Sequence, residues 1–285
     1  MLCESKHRVM KKRGWILFMA LFTWIITYSN EPIPFNKING LIIVEASVDG
    51  VLGNYILDSG ANGLILNRSC VASSEEYLGL DGDINGEEIV VNSFEFGKFS
   101  EKDLSAFCTD LTNLEQYTNY SINGIFGQGI IDSRYLIIDF TNNTLVFDDN
   151  YNDEDSEEYV IDFKLVNDLP IVSILVSDKK LNFILDSGAS TNFIDANLLD
   201  EIAFDPTGIY KEIFTASGTT SNVELVNLKN VQSGDLSLPN IEALPKDFTT
   251  FSETMDYPVH GLLSMNTLST NQLVIDQKKR SLIIK

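Results

Sequence analysis

Short apolar runs, rich in β-branched and aromatic residues and bounded by turn residues, recur along almost the whole 285-residue chain. "LIIVEASV", "EEIVVNSFEF", "YLIIDF", "TLVFD", "LPIVSILV", "VELVNLKNV" and "LVIDQ" followed by "SLIIK" read as strands, with "TNN" and "QKKR" as turns between them. Stretches long enough to sustain a 3.6-residue period are missing. Only "NRSCVASSEEYLG" (67–79) and "DANLLDEIAF" (195–204) read as short helices. The pattern predicts an all-β protein.

The pattern is also written twice. Asn39–Ala61 and Asn167–Ala189 align without a gap at a shift of 128, and 12 of 23 positions are identical, including the whole of "ILDSGA". A second block, "NGIFGQGIIDSRYLIIDFTNNTLVF" (123–147), answers "HGLLSMNTLSTNQLVIDQKKRSLIIK" (260–285) at a shift of 137, pairing Gly124 with Gly261 and Asp139 with Asp276. The difference between the two shifts is absorbed in the segment between the blocks, where loops vary most easily. Two copies of one unit are therefore expected, residues 30–150 and 160–285. They are joined by an acidic linker over 151–159, within "DDNYNDEDSEEY", that has nothing to bury.

The first 29 residues stand apart. Lys6, Arg8, Lys11, Lys12 and Arg13 precede the apolar run Trp15–Tyr28, the layout of a secretory signal and short for a membrane span. An uncleaved signal anchor is the alternative, and it is the one route to a membrane. Either way the remainder is expected to be exported, to a periplasm or the cell exterior. Residues 1–29 hold five of the 20 basic and one of the 41 acidic residues, so the rest carries 15 basic and 40 acidic ones, a net of −25. Such a surface repels phosphates, which argues against nucleic acid as a partner. Cys70 and Cys108 are the cysteines left, either one disulfide or two buried thiols. His260 is the one histidine left, too few for a His-based zinc site and a bottleneck for any Ser-His-Asp arrangement. It reads as a strand-edge residue; no metal or cofactor is expected.

Each copy carries an aspartate in the same apolar-flanked turn, Asp58 and Asp186. Two copies packed about a pseudo-twofold axis bring equivalent turns together at the interface. Two carboxylates a few ångströms apart cannot both ionise cheaply, so they share a proton. One can then take a proton from a water as the other donates to a substrate carbonyl, which is general acid–base hydrolysis without a covalent intermediate. Gly60 and Gly188 let the backbone turn sharply beside the carboxylates, and Ser59 and Ser187 place hydroxyls to bond across to the other copy.

Asp58-Ser59-Gly60-Ala61 followed by Ile125-Phe126-Gly127, and Asp186-Ser187-Gly188-Ala189 followed by Leu262-Leu263, resemble the retropepsin and pepsin class of aspartic peptidases, in the single-chain, two-lobe bacterial form. The resemblance covers roughly 36–147 and 160–285. It implies two pseudo-symmetric acid-protease-like β-barrel lobes with the active site between them, in a monomeric chain acting on a peptide or protein substrate. It further implies that Asp58 and Asp186 are catalytic, that the two serines form an interlobe grip, and that a hairpin in each lobe covers the substrate. "DGDING" (81–86) and "ASGTT" (216–220) are the expected hairpin tips. Two departures stand out. Ser264 occupies the place of the family's usual Gly and calls for a local adjustment that could weaken the site. Ala61 and Ala189 stand where pepsins often carry a hydroxyl, so less stabilisation of the ionised pair and a working pH nearer neutral are expected. A catalytically silent peptide- or protein-binding relative is the alternative reading. A two-carboxylate glycosidase is disfavoured, because both tryptophans, Trp15 and Trp24, lie in the N-terminal segment and leave no indole to stack on sugar.

Overall fold

The computed structural model describes residues 31–285 except 69–74, 80–81, 132–133, 149–150, 152–158, 215–219, 235, 239–240 and 269–270. The apolar N-terminal run and Cys70 lie outside the described residues. Within them the protein is all-β, with two short α-helices, α1 (Thr112–Thr118) and α2 (Thr249–Met255), and two single 3₁₀ segments, Ala196–Glu201 and Met265–Leu268.

Each half opens with three antiparallel strands: Ile33–Ile38, Leu41–Val48 and Val51–Asn62 in the first, and Tyr159–Val166, Leu169–Val176 and Lys179–Asp186 in the second. The tight turns between them have paired positive φ angles, Asn39 and Gly40 at 49° and 86°, Asn167 and Asp168 at 48° and 63°. Two left-handed residues in a row match the right-handed twist of the flanking strands, and Asn, Asp and Gly tolerate that geometry best.

The third strand of each half then runs parallel to a strand from the second repeated block. Val51–Asn62 lies beside Gly124–Gln128, with Asp58 opposite Gly127; Lys179–Asp186 lies beside Gly261–Ser264, with Asp186 opposite Ser264. The two repeated blocks are thus hydrogen-bonded neighbours in each half. Leu57 and Leu185, both fully buried, anchor the strands that carry the aspartates, each burial worth about 1.5–3 kcal/mol.

The last strands of both halves form one sheet. Ile33 and Pro34 pair with Thr144–Asp148, which pairs with Tyr135–Asp139; that strand pairs with Gln272–Asp276, which pairs with Ser281–Ile284, which pairs with Tyr159–Asp162. Leu136, Ile138, Leu145, Leu273, Ile275, Leu282 and Ile284 alternate onto its inner face and join the main core, which draws on both halves. Two smaller clusters, one per half, lie apart from that core, around Ile56, Ile65 and Ile125 and around Ile184, Phe193 and Leu262.

Local expectations fail in three places. Of the helix expected over 67–79, residues 69–74 lie outside the described residues and Glu75–Gly79 form a strand, because they pair with Gly82–Gly86 in a hairpin. The helix expected over 195–204 is reduced to the 3₁₀ turn at Ala196–Glu201, since Phe204 already begins the next strand. The acidic connection is not wholly solvated either, for the Tyr151 ring stacks against Tyr135 at a centroid distance of 5.6 Å and packs on the outer face of the shared sheet. Most of that connection lies outside the described residues.

Candidate active site

Asp58 lies within Val51–Asn62 and Asp186 ends the repeat-related Lys179–Asp186, and the groups that touch the two carboxylates are duplicated. Ser59 N donates to Ser187 Oγ at 2.9 Å and Ser187 N donates to Ser59 Oγ at 3.1 Å. Each hydroxyl in turn donates to the main chain of the other half, Ser59 Oγ to Leu185 O and Ser187 Oγ to Leu57 O, both at 2.8 Å. Both serines are buried, so four hydrogen bonds, each worth about 1 kcal/mol net, fix the two turns against each other.

The grip brings the carboxylates together. Gly60 N donates to Asp58 Oδ1 at 2.8 Å and Gly188 N donates to Asp186 Oδ1 at 2.6 Å. A Cβ on Gly60 would stand 2.8 Å from the Asp186 carboxyl carbon, and one on Gly188 would overlap the Asp58 carboxyl group. Glycine is required at both positions because the opposing carboxylate fills the space a side chain would take. Each carboxylate therefore packs directly against the turn that carries the other.

Burial raises the proton affinity of both groups. For Asp58, the Asp186 carboxyl and main-chain hydrogen bonds at Gly60 and Ala61 pull the other way without reversing it. For Asp186, the neighbouring Asp58 charge and carboxyl add to the burial, and the group lies well above the ordinary carboxylate range despite main-chain hydrogen bonds at Gly188 and Ala189. Asp186 is also the more enclosed, at 8% exposure, whereas Asp58 is half-buried. The pair therefore holds a proton over a range where isolated aspartates have lost theirs. Ala61 and Ala189 contribute through their main chain rather than through a side chain.

A cleft of about 810 Å³ opens over the pair. Leu41, Ile56 and Ile125 line it from the first half, Leu169, Ile184 and Leu262 from the second, and the helices add Leu114 and Tyr117 from α1 and Phe251 and Met255 from α2. Both expected covering hairpins reach it: Gly79 and Ile84 from the hairpin that contains 81–86, and Lys211 and Glu212 from Phe204–Phe214, whose partner strand begins at Thr220. Asp81 and residues 216–219 lie outside the described residues. His260 stays out of the cleft; its Nδ1 accepts from Asn182 N at 2.9 Å, and burial pushes its pKa down. Cys108 is buried in the first half.

Ser264 does not disturb its turn. Its Oγ donates to Ala189 O at 2.7 Å, and its N–H donates to Asn192 Oδ1 at 2.9 Å. The adjustment expected from the sequence is supplied by the neighbouring side chains.

The sequence reading missed α1, α2 and the bonds that cross between halves near the cleft: Tyr117 Oη to Ser190 Oγ at 3.1 Å, and Asn62 Nδ2 to Asp168 Oδ2 at 3.3 Å. A signal for the helices was present. Asp110 and Thr112 recur as Asp247 and Thr249 at the shift of 137, and each aspartate accepts the N–H two residues on, at 2.8 Å, which starts the helix.

Residues 172–267, within the second half, match the family model described as aspartyl protease. No curated protein matches the chain. The family match supports an aspartyl protease family and, in general terms, a peptidase among the hydrolases.

Proposed function

We propose that the chain is an aspartic endopeptidase of the retropepsin and pepsin type, with residues 30–150 and 160–285 as its two lobes. One observation carries the reading: two repeat-related aspartates face each other beneath an apolar cleft, each packed against the other half's glycine and accepting from its own glycine N–H, with both turns locked by reciprocal serines.

In this reading Asp58 acts first as base and Asp186 as acid. A water attacks the scissile carbonyl carbon and gives its proton to Asp58, while Asp186 donates its proton to the carbonyl oxygen. Asp58 then passes the proton to the amide nitrogen, the C–N bond breaks, and the diol collapses to a carboxylic acid, returning a proton to Asp186. The burial that raises both proton affinities keeps the singly protonated pair populated at a mildly acidic to neutral pH. The substrate is a peptide or protein, and the enzyme works outside the cytoplasm, released by or held on its N-terminal apolar segment.

The test is incubation of residues 30–285 with a denatured protein mixture across pH 3–8, with and without a statine-type inhibitor. Internal cleavage that the inhibitor abolishes supports the reading. Inhibitor binding without any cleavage would make the chain a silent peptide-binding member of the same fold instead.

A further inference from the structure

The two aspartate turns are alike in what touches the carboxylates and different in what lies behind them. In the first half the backing is main chain: Gly127 N donates to Gly63 O at 3.0 Å and Gly63 N donates to Gln128 O at 2.7 Å. A Cβ at Gly127 would overlap Asp58 O and Ala61 O, so no side chain fits there. In the second half the strand ends at Asp186 and the backing is side chain. Asn192, buried at 4% exposure, accepts from Ser264 N through Oδ1 and donates through Nδ2 to Glu242 O at 2.7 Å. Ser264 Oγ donates to Ala189 O.

Asn266 completes this clamp and extends it. Its N–H donates to Ser264 Oγ at 3.3 Å. Its side-chain amide reaches Gly40 O at 2.6 Å, Ser264 Oγ at 3.2 Å and Ala189 O at 3.3 Å. Gly40 belongs to the tight turn of the first half, packed so closely on Ser190 that a Cβ there would lie 3.3 Å from the Ser190 Cα. The residue at the matching place in the first half, 137 positions earlier, is Gly129, which has no side chain to offer.

We propose that Asn266 is a positioning residue for Asp186, holding the Ala189 carbonyl and the opposing half's Gly40 turn in one fixed arrangement so that the main chain at Gly188 and Ala189 stays aimed at the Asp186 carboxylate. The inference rests on the aspartic-pair reading above. It adds that the second aspartate depends on a side-chain amide that the first does without. Loss of the amide leaves Ala189 O to Ser264 Oγ alone and releases the Gly40 turn, which slackens the donors to the ionised Asp186 carboxylate and raises the proton affinity of the pair. The other charged side chains lining the cleft, Lys211 and Glu212 on the hairpin strand, are exposed and unchanged by the substitution.

The experiment titrates the aspartate pair by carboxyl-carbon NMR in the wild type and in Asn266→Ala, alongside the pH dependence of kcat and KM on a peptide substrate. The expected result is an upward move of the pair's higher apparent pKa by about half a unit to one unit. With it goes a fall of about tenfold in kcat, with KM changed less than about twofold. Asn266→Leu, close in size and without a donor, gives the same answer if the alanine variant does not fold. Asn266→Gln, which keeps an amide, recovers part of the shift. Asn182→Ala serves as the control, since Asn182 Nδ2 makes a comparable bond to Pro258 O at 3.0 Å away from the cleft. An unmoved titration in Asn266→Ala or Asn266→Leu, or an equal shift in Asn182→Ala, overturns the proposal. A wild type that cleaves nothing while the shift is seen removes the peptidase reading and leaves the positioning role standing; cleavage without the shift does the reverse.

Discussion

The first aspartate turn is held by main chain around Gly127, and the second by Asn192, Ser264 and Asn266. Both deliver a carboxylate with the same glycine donor and the same serine lock. The difference shows which parts of a duplicated site must stay identical and which can drift. Groups that meet the partner copy across the axis are fixed by it. Groups behind the turn need only present some donor to a carbonyl, and main chain or side chain can do that.

The largest effect separates the aspartates from everything else. Asp58→Asn and Asp186→Asn should each lower kcat/KM on a peptide substrate by about 10³-fold or more, because each removes one partner of the acid–base pair. Retention of a tenth of the activity by either variant would break the equivalence of the two turns.

Exchanging the residues behind the turns comes next. Gly127→Ser should cost about 3 kcal/mol or more, since the new Cβ collides with main-chain oxygens that cannot withdraw. Ser264→Gly should cost about 1–3 kcal/mol by removing a buried donor to Ala189 O. Denaturant unfolding of both variants measures the pair, and equal losses would contradict the contrast drawn between the halves.

The serine lock predicts smaller, coupled losses. Ser59→Ala and Ser187→Ala should each cost about 1–2 kcal/mol, and the double variant less than the sum, because the two hydroxyls share bonds across the axis. Strict additivity in a double-mutant cycle would mean the four bonds do not act as one unit.

The smallest effect is a gain. Folding raises the proton affinity of Asp186. The stability drawn from its protonation is full below the unfolded pKa and lost as pH rises through the folded one. Asp186→Asn escapes that loss, so it should melt about 2 °C or more above the wild type at pH 7, with the gap closing below about pH 4. A gap that widens on acidification would reverse the sign and place the raised group elsewhere.

Much of this was legible before any coordinates. Short β-branched and aromatic runs bounded by turn residues marked Leu41–Val48, Leu169–Val176 and Ser281–Ile284, strands buried at almost every position, because that composition is a local signal. The repeated "ILDSGA" pointed to Asp58, Asp186, Ser59, Ser187, Gly60 and Gly188, and the structure brings all six together. Glu75–Gly79 was misread because its strand character comes from its hairpin partner and not from its own residues. α1 and α2 span seven residues each, too short for a period to register, and only their repeated Asp-x-Thr starts betray them. The role of Ser264 was out of reach, because a substitution shows what was lost from a pattern but not that Asn192 and Asn266 surround it.

The seam between Tyr135–Asp139 and Gln272–Asp276 joins repeat-related strands, antiparallel, at the centre of the shared sheet. Either half by itself would present that strand as a bare edge, which another copy of itself could cap. Tethering both on one polypeptide makes the encounter intramolecular, so dilution cannot part the carboxylates. The tether has a second effect. An assembly of identical subunits must change both sides at once, whereas a fused pair can alter Gly127 and Ser264 independently, and so assign its two acids unequal surroundings.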